Sequence, residues 1–167
     1  ANSKYAKHLN RLRGEQERWT RHVRDLGFLP EELVREMTEG STPYEVTRRE
    51  KTFPPDELLD AADLAGIDEE ERDDLLALLG EDDPALRYWG LVGLDEHDYL
   101  CDTCFDDLRY VLEDEQGCNR ILAAALLFEN EQKEGLPVLL EELRGNDPDL
   151  VLRAARTLEL LGPVAKP

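Results

Sequence analysis

Apolar residues recur every three or four positions along most of this chain, which is the spacing of amphipathic α-helices. The longest such stretch covers residues 3–26, where one helical stripe contains Tyr5, Leu9, Leu12, Gln16, Trp19, Val23 and Leu26. We expect this stripe to dock on the rest of the chain or on a domain further upstream. A short coiled-coil seam is the alternative, because the stripe has the spacing of three heptads.

A second, short helix is predicted from Pro30 to about Thr38, since proline suits a first turn and Glu31 and Glu32 favour the positive end of the helix dipole. Residues 41–54 carry turn signals and little periodicity, so we predict an irregular linker there. Beyond it, leucine-rich and alanine-rich segments often end at glycine. These segments predict helices over roughly 55–65, 69–79, 84–94, 98–113, 119–129, 133–144 and 148–161.

Three arginines mark an internal repeat, because Arg87, Arg120 and Arg153 lie 33 residues apart, twice. Each opens a predicted helix and follows a leucine-rich one. Small residues come shortly after the arginines and would let helices approach closely; they are Gly90, Ala124, Ala154 and Ala155. Asp-Pro caps the first and third of these helices, whereas the middle one has Gln116-Gly117-Cys118 and is expected to have a distorted turn.

This pattern resembles the HEAT repeat family, with its Asp/Pro-x-x-Arg-x-x-Ala signature, over about residues 69–162. The resemblance implies an all-α fold, a HEAT-like α-α superhelix (a right-handed solenoid of helix pairs), here preceded by an N-terminal amphipathic helix. Neighbouring pairs would have to stack, because one pair cannot bury its apolar face alone. Each arginine is expected to reach a carboxylate or carbonyl at the turn between repeats. Other α-solenoids remain open.

The charge is strongly acidic, at −19 formally, which argues against nucleic acids and anionic membranes as partners. It is also uneven. Residues 1–24 carry seven Lys or Arg against two Glu, whereas thirteen acids and one base, Arg72, lie between Asp56 and Asp83. An excess of surface carboxylates with little lysine suggests adaptation to high salt, where screening removes self-repulsion. A merely acidic protein, with no adaptation to salt, is the alternative.

One group of residues has the composition of a zinc site: His97, Cys101, Cys104 and Cys118. Spacings of four and three place the first three on one helical face, and a Cys₃His shell suits zinc. However, Cys101 and Cys104 also continue an apolar stripe, and cysteine is a common core residue. We therefore predict core packing and no metal ligand, and we keep zinc binding as the alternative.

A narrower resemblance involves residues scattered along most of the chain. They are Leu9-x-x-Leu12, Trp19, Val23, Asp25, Gly27-Phe28-Leu29-Pro30-Glu31, Thr42-Pro43-Tyr44-Glu45, Phe53-Pro54, Leu58-Leu59-x-Ala61-Ala62-x-Leu64-Ala65, Arg87-Tyr88-Trp89 and Gly93-Leu94. Their order resembles the C-terminal end of bacterial and archaeal sulfatases similar to heparan N-sulfatase, some of which carry a C-terminal HEAT-like region.

The departure from that family concerns the catalytic motif. Sulfatases need Cys or Ser in a Cys/Ser-x-Pro-x-Arg context, but no cysteine here is followed by proline two positions later. Ser41-Thr42-Pro43 is followed by Glu45 where the arginine is required. No catalytic or cofactor-binding residue can be carried over, and no Ser-His-Asp, Walker or dinucleotide motif is present.

We therefore predict three parts: residues 1–40 as the end of a sulfatase-like domain, 41–54 as a linker and 55–167 as the HEAT-like repeat domain. The predicted function is a non-catalytic scaffold or protein-interaction module. Its partner would be an upstream sulfatase-like domain or another protein, and the oligomeric state is left open. A cytoplasmic location is slightly favoured, because no signal segment is visible and no disulfide is predicted.

Overall fold

The computed structural model describes residues 3–49, 54–66, 72–95, 100 and 102–162. Within these ranges the regular structure is entirely helical, and no strand occurs. A 3₁₀ turn at Ser3–Tyr5 leads into α1 (Ala6–Val23), which is followed by α2 (Glu31–Met37), α3 (Pro43–Val46), α4 (Pro55–Leu64), α5 (Arg72–Leu78), α6 (Pro84–Asp95), α7 (Asp102–Val111), α8 (Gly117–Glu129), α9 (Gly135–Glu142) and α10 (Pro148–Leu161). The helices predicted from periodicity are thus present. The starts of the segments predicted at 69–79 and 98–113 lie outside the described residues, and the other ends are shifted by a few residues.

The interval 41–54 is described at residues 41–49 and 54, and residues 50–53 lie outside the described residues. The described part differs from the prediction, because it contains the short helix α3 where we expected irregular chain. The Thr42 side chain caps this helix by accepting a hydrogen bond from the Glu45 N–H at 3.3 Å, and Pro43 occupies the first turn. Val46 and Thr47 are buried. Threonine followed by proline therefore starts a helix here, whereas the sequence pattern suggested a turn.

Four helices lie side by side in a row, since α4 contacts α6, α6 contacts α8 and α8 contacts α10. Against this row, α5 packs on α6, α7 packs on α8, and α9 packs on both α8 and α10. Each predicted helix pair is therefore in contact, and consecutive pairs contact each other through the row.

Two glycines explain how closely the helices approach. A Cβ at Gly135 in α9 would lie 2.1 Å from the carbonyl oxygen of Ala124 in α8. A Cβ at Gly90 in α6 would lie 2.8 Å from the carbonyl oxygen of Leu75 in α5. Both distances are too short for a side chain. The expectation that a small residue at position 90 permits close helix packing is thus confirmed.

Among the described residues the apolar core falls into three clusters. The largest joins α5, α6, α7 and α8 through Leu75, Leu94, Leu108 and Leu127. A second joins α8, α9 and α10 through Ile121, Ala124, Leu139 and Ala154. In the third, the N-terminal residues Leu26, Leu29 and Leu33 pack with Leu58, Ala61, Ala85, Leu86 and Cys118 from α4, α6 and α8. The segment that contains α2 therefore shares a core with the helices of the row.

None of the described helices is both long enough and apolar enough to cross a membrane.

Candidate interaction surface

The first repeat arginine, Arg87, connects its own turn with the next helix pair. Its Nη1 donates to the carbonyl oxygens of Glu81 and Asp82 at 2.8 and 3.0 Å. Its Nε and Nη2 donate to the two carboxylate oxygens of Asp114, at 2.6 and 3.0 Å. Asp114 precedes α8, so this bidentate pair spans two consecutive units. The expectation of a carboxylate or carbonyl partner is confirmed on both counts.

Arg120 repeats this geometry one unit later. Its Nη1 donates to the carbonyl oxygens of Asp114 and Glu115, at 2.6 and 3.1 Å. These carbonyls lie six and five residues before Arg120, as those of Glu81 and Asp82 do before Arg87. Its Nε donates to Glu142 Oε1 at 2.6 Å, and Glu142 ends α9. The equivalent arginine thus binds the equivalent carbonyls of the turn in both units.

Arg153 has a partner that lies far away in sequence. Its Nε and Nη2 donate to the two carboxylate oxygens of Glu32 at 2.7 and 2.8 Å. Glu32 lies in α2, 121 residues earlier, and its side chain is 8% exposed. A second contact joins the same elements, because Arg35 of α2 pairs with Asp147 and Asp149 at the start of α10. The acid that binds the third repeat arginine, Arg153, therefore comes from the N-terminal helix α2.

The ionisation of Glu32 reflects two opposing effects. Burial favours the neutral acid and acts to raise the pKa of Glu32, whereas the hydrogen bonds and positive charge of Arg153, with a backbone hydrogen bond at Glu32, lower it. The lowering effects prevail, so the pKa lies below its ordinary value. Glu32 is thus held as a carboxylate, with Arg153 as its counter-charge.

In the turn before α8, which lacks Asp-Pro, other residues make the hydrogen bonds. Asp114 Oδ1 accepts a hydrogen bond from the Gln116 N–H at 2.8 Å. Asn119, which is fully buried, donates to the Pro84 carbonyl oxygen at 3.1 Å and to Asp114 Oδ2 at 3.3 Å. An aspartate three residues before the helix and a buried asparagine inside it therefore organise this turn. Neither residue was predicted from the sequence, where the only signal is the position of Asp114 just before the predicted helix.

A hollow of about 580 Å³ lies between α2 and the first turns of α8 and α10. Its charged lining is mainly acidic, and the charged side chains are Glu32, Arg35, Glu36, Glu39, Glu115, Arg120 and Asp147. Three of these acids are paired with an arginine, Glu32 with Arg153, Asp147 with Arg35 and Glu115 with Arg87. The hollow is therefore the gap between α2 and the row of helices, and we do not assign a ligand to it.

The apolar stripe of α1 faces solvent. Tyr5, Leu9, Leu12 and Trp19 are 56%, 37%, 57% and 65% exposed, and α1 contains no buried residue. Of the stripe predicted over residues 3–26, Leu26 is buried in the core, at 6% exposure. The positions from Tyr5 to Trp19 are not docked on the described part of this chain, so for them the other docking alternative, on an upstream domain, stays a prediction.

Polar side chains hold α1 in place. Arg21 Nη1 and Nη2 bind the carboxylates of Asp56 and Asp60 in α4 at 2.6 and 2.8 Å, and Arg21 also binds Glu17 at 3.1 Å. After the helix, Arg24 adopts the left-handed conformation (φ 55°) and donates to the Thr47 carbonyl oxygen at 2.7 Å. The helix is thus attached by a face that does not include its apolar stripe.

The basic residues of α1 are arranged around that attachment. At 100° per residue, Lys7, Arg11 and Arg18 lie on the face opposite the stripe. Arg13 lies beside the stripe and lines a hollow of about 500 Å³ against Leu59 and Ala62 of α4. The exposed surface of α1 thus combines one apolar line with a basic back.

The cysteines occupy two different clusters. Cys104 in α7 packs in the largest cluster, and Cys118 in α8 packs in the cluster that contains α2; both are fully buried. Burial raises the pKa of the Cys118 thiol to about 12, which disfavours the thiolate that zinc requires. In the described part of the chain, no group of three or more His, Cys, Asp or Glu could hold a metal ion. His97 and Cys101 lie outside the described residues.

Trp89 is partly buried and packs against two apolar clusters. Its ring lies 5.6 Å from that of Tyr88 and 6.3 Å from that of Phe28, and its buried Nε1 has no hydrogen-bond partner in the structure. The two histidines of α1, His8 and His22, are exposed.

Comparison of this chain with known protein families, with curated proteins and with solved structures finds no match.

Proposed function

We propose that this chain is a non-catalytic helical-repeat scaffold that binds another protein through the exposed stripe of α1. The observation that carries the proposal is the line of apolar side chains on α1, which are 37–65% exposed, while Arg21 and Arg24 join the helix to the body through other contacts. Large apolar side chains grouped on one exposed face are typical of a protein interaction site.

A HEAT-like superhelix is the arrangement that we propose for the body. Its support is the recurrence of one device, in which Arg87 and Arg120 each bind two carbonyls of their own turn and an acid of the next pair. A repeated contact of this kind is expected where neighbouring units stack in one constant geometry.

The resemblance to sulfatases remains a prediction about the parent polypeptide. It would make an upstream sulfatase-like domain one natural partner of α1, with another protein as the alternative. On that view the sulfatase chemistry lies outside this chain, and this part contributes shape and surface charge.

The zinc-binding alternative is weakened by the burial of Cys104 and Cys118 in separate apolar clusters. We predict that protein purified in metal-free buffer contains less than about 0.1 zinc per chain by elemental analysis and is fully folded by circular dichroism. One zinc per chain, with unfolding on chelation, would restore the alternative.

The proposed binding function is tested by capture of proteins from an extract of the source cells. Wild-type chain is immobilised next to a Leu9→Gln/Leu12→Gln variant and a Leu152→Gln/Leu160→Gln variant. The second pair is a matched control, because Leu152 and Leu160 are 70% and 69% exposed on α10. Proteins retained by the wild type and the control but lost from the α1 variant support the proposal. Equal retention by all three chains contradicts it.

A further inference from the structure

The apolar stripe of α1 has the same spacing in both directions. Its positions Tyr5, Leu9, Leu12, Gln16, Trp19 and Val23 are separated by 4, 3, 4, 3 and 4 residues. A second α1 laid antiparallel along the first therefore meets it in register. Tyr5 then faces Val23 of the other copy, Leu9 faces Trp19 and Leu12 faces Gln16. This is the pairing of alternate heptad positions that two antiparallel helices require.

The attachment of α1 leaves room for this second helix. Arg21 holds the helix against Asp56 and Asp60 of α4, on a different face from the stripe. Along the stripe itself, Leu9, Leu12 and Trp19 are 37%, 57% and 65% exposed. A symmetric partner can therefore reach these side chains without displacing the contacts of Arg21.

The charges of α1 are compatible with such pairing when salt is present. Lys7, Arg11 and Arg18 point away from the stripe, so they lie on the outside of a helix pair. Glu15, which flanks the stripe near the symmetry axis, is already paired with Arg18 of its own helix. Arg13 lies beside the stripe, and the two copies of residues 1–24 each carry a net +5, so the paired helices repel each other, as do the whole chains of charge −19. Salt screens both contributions.

Resting on the proposed function, we propose that the partner covering this stripe is a second copy of the chain, which binds through α1 as a symmetric antiparallel dimer. A symmetric contact needs one self-complementary patch, and the reversible spacing supplies it.

The size of the patch sets the strength of the dimer. At their exposures, the four large side chains offer on the order of 400 Å² per copy. That is about half of the ~800 Å² per partner that a stable interface buries. The dimer is therefore reversible, with a dissociation constant on the order of 10–100 µM.

Sedimentation equilibrium of the full chain tests the proposal between about 5 and about 500 µM, a range that brackets this constant, in dilute buffer and in molar KCl. The expected mass rises with concentration from 19.1 kDa towards twice that value, and more readily in KCl. Leu9→Gln/Leu12→Gln is expected to stay monomeric, whereas Leu152→Gln/Leu160→Gln is expected to dimerise as the wild type does. A monomeric wild type, or a Leu9→Gln/Leu12→Gln variant that still dimerises, overturns the proposal.

Cysteine cross-linking tests the orientation, with the wild-type chain as the blank. In the antiparallel pair the two copies of residue 15 are adjacent, so Glu15→Cys should form a disulfide-linked dimer. The two copies of residue 9 lie roughly 15 Å apart along the axis, so Leu9→Cys should not. Cross-linking of Leu9→Cys without cross-linking of Glu15→Cys overturns the antiparallel geometry.

The two proposals fail separately. If the chain is monomeric but other proteins depend on Leu9 and Leu12 for capture from the extract, the second-copy partner is wrong and the binding function stands. If neither dimerisation nor capture depends on these residues, both fail.

Discussion

Three carboxylates with little solvent exposure each receive an arginine of the repeat. Asp114, Glu32 and Glu142 have side chains that are 3%, 8% and 11% exposed, and they bind Arg87, Arg153 and Arg120 respectively. Burying a carboxylate is costly unless a positive charge and hydrogen bonds compensate it. These arginines therefore act as structural partners, and each of them ties together elements that are distant in the chain.

Removal of Arg153 tests this interpretation. Arg153→Met should lower the free energy of unfolding by about 2–4 kcal/mol, because it leaves the Glu32 carboxylate buried without its counter-charge. Urea denaturation followed by circular dichroism measures the change. Arg156→Met is the matched control on the same helix, since its pair with Glu159 is exposed and should contribute less than about 0.5 kcal/mol. Equal effects of the two substitutions would contradict a special role for Arg153.

The pH dependence of stability provides a second test at the same pair. The pKa of Glu32 in the folded chain lies below its ordinary value of 4.5, so its charge stabilises the fold above pH 4.5, and this contribution disappears as the pH falls through the folded-state pKa. Between about pH 6 and about pH 3, the urea midpoint of wild type should therefore fall further than that of Glu32→Gln. Identical slopes would show that Glu32 titrates normally.

At the scale of elements, contact between backbones sets the distance between α8 and α9. Gly135 has no side chain, and this allows α9 to rest directly on the carbonyl of Ala124. Replacement of a buried small residue at such a contact forces two helices apart and disturbs the apolar residues between them.

Gly135→Ala should accordingly destabilise the fold by about 2 kcal/mol or more, because its Cβ would lie 2.1 Å from a backbone oxygen that cannot move alone. Gly14→Ala is the control. It lies in the middle of α1 with open space around it, and there alanine should be neutral or stabilising by up to about 1 kcal/mol. Chemical denaturation of both variants distinguishes steric conflict from helix propensity. A neutral Gly135→Ala would mean that α8 and α9 do not approach so closely.

At the scale of the whole molecule, charge is separated between α1 and the rest. Residues 1–24 carry a net charge of +5, from seven bases and two acids. Because the whole chain carries −19, residues 25–167 carry −24. The two parts meet where Arg21 binds Asp56 and Asp60. In residues 25–167 the acidic side chains outnumber the basic ones by 24, so this part of the chain repels itself in dilute buffer.

We therefore predict that the melting temperature rises with salt. It should be higher in about 2 M KCl than in about 10 mM buffer, because the screening length falls from about 30 Å to 3 Å or less. The same comparison near the isoelectric point of about 4.4 should show a smaller increase, since the net charge vanishes there. Differential scanning calorimetry gives both values. A melting temperature that is insensitive to salt at pH 7 would overturn the hypothesis of salt adaptation.

The positions of the helices could be predicted from the sequence, because helical periodicity and capping depend on residues within a few positions of each other. The repeat was visible as well, since the three arginines recur at a constant spacing. The partner of Arg153 could not, since Glu32 lies 121 residues away and only packing brings them together. The burial of the α1 stripe could not be predicted either. Periodicity shows that residues share a face, whereas the tertiary structure decides whether that face is covered, and here it leaves Tyr5, Leu9, Leu12 and Trp19 in solvent.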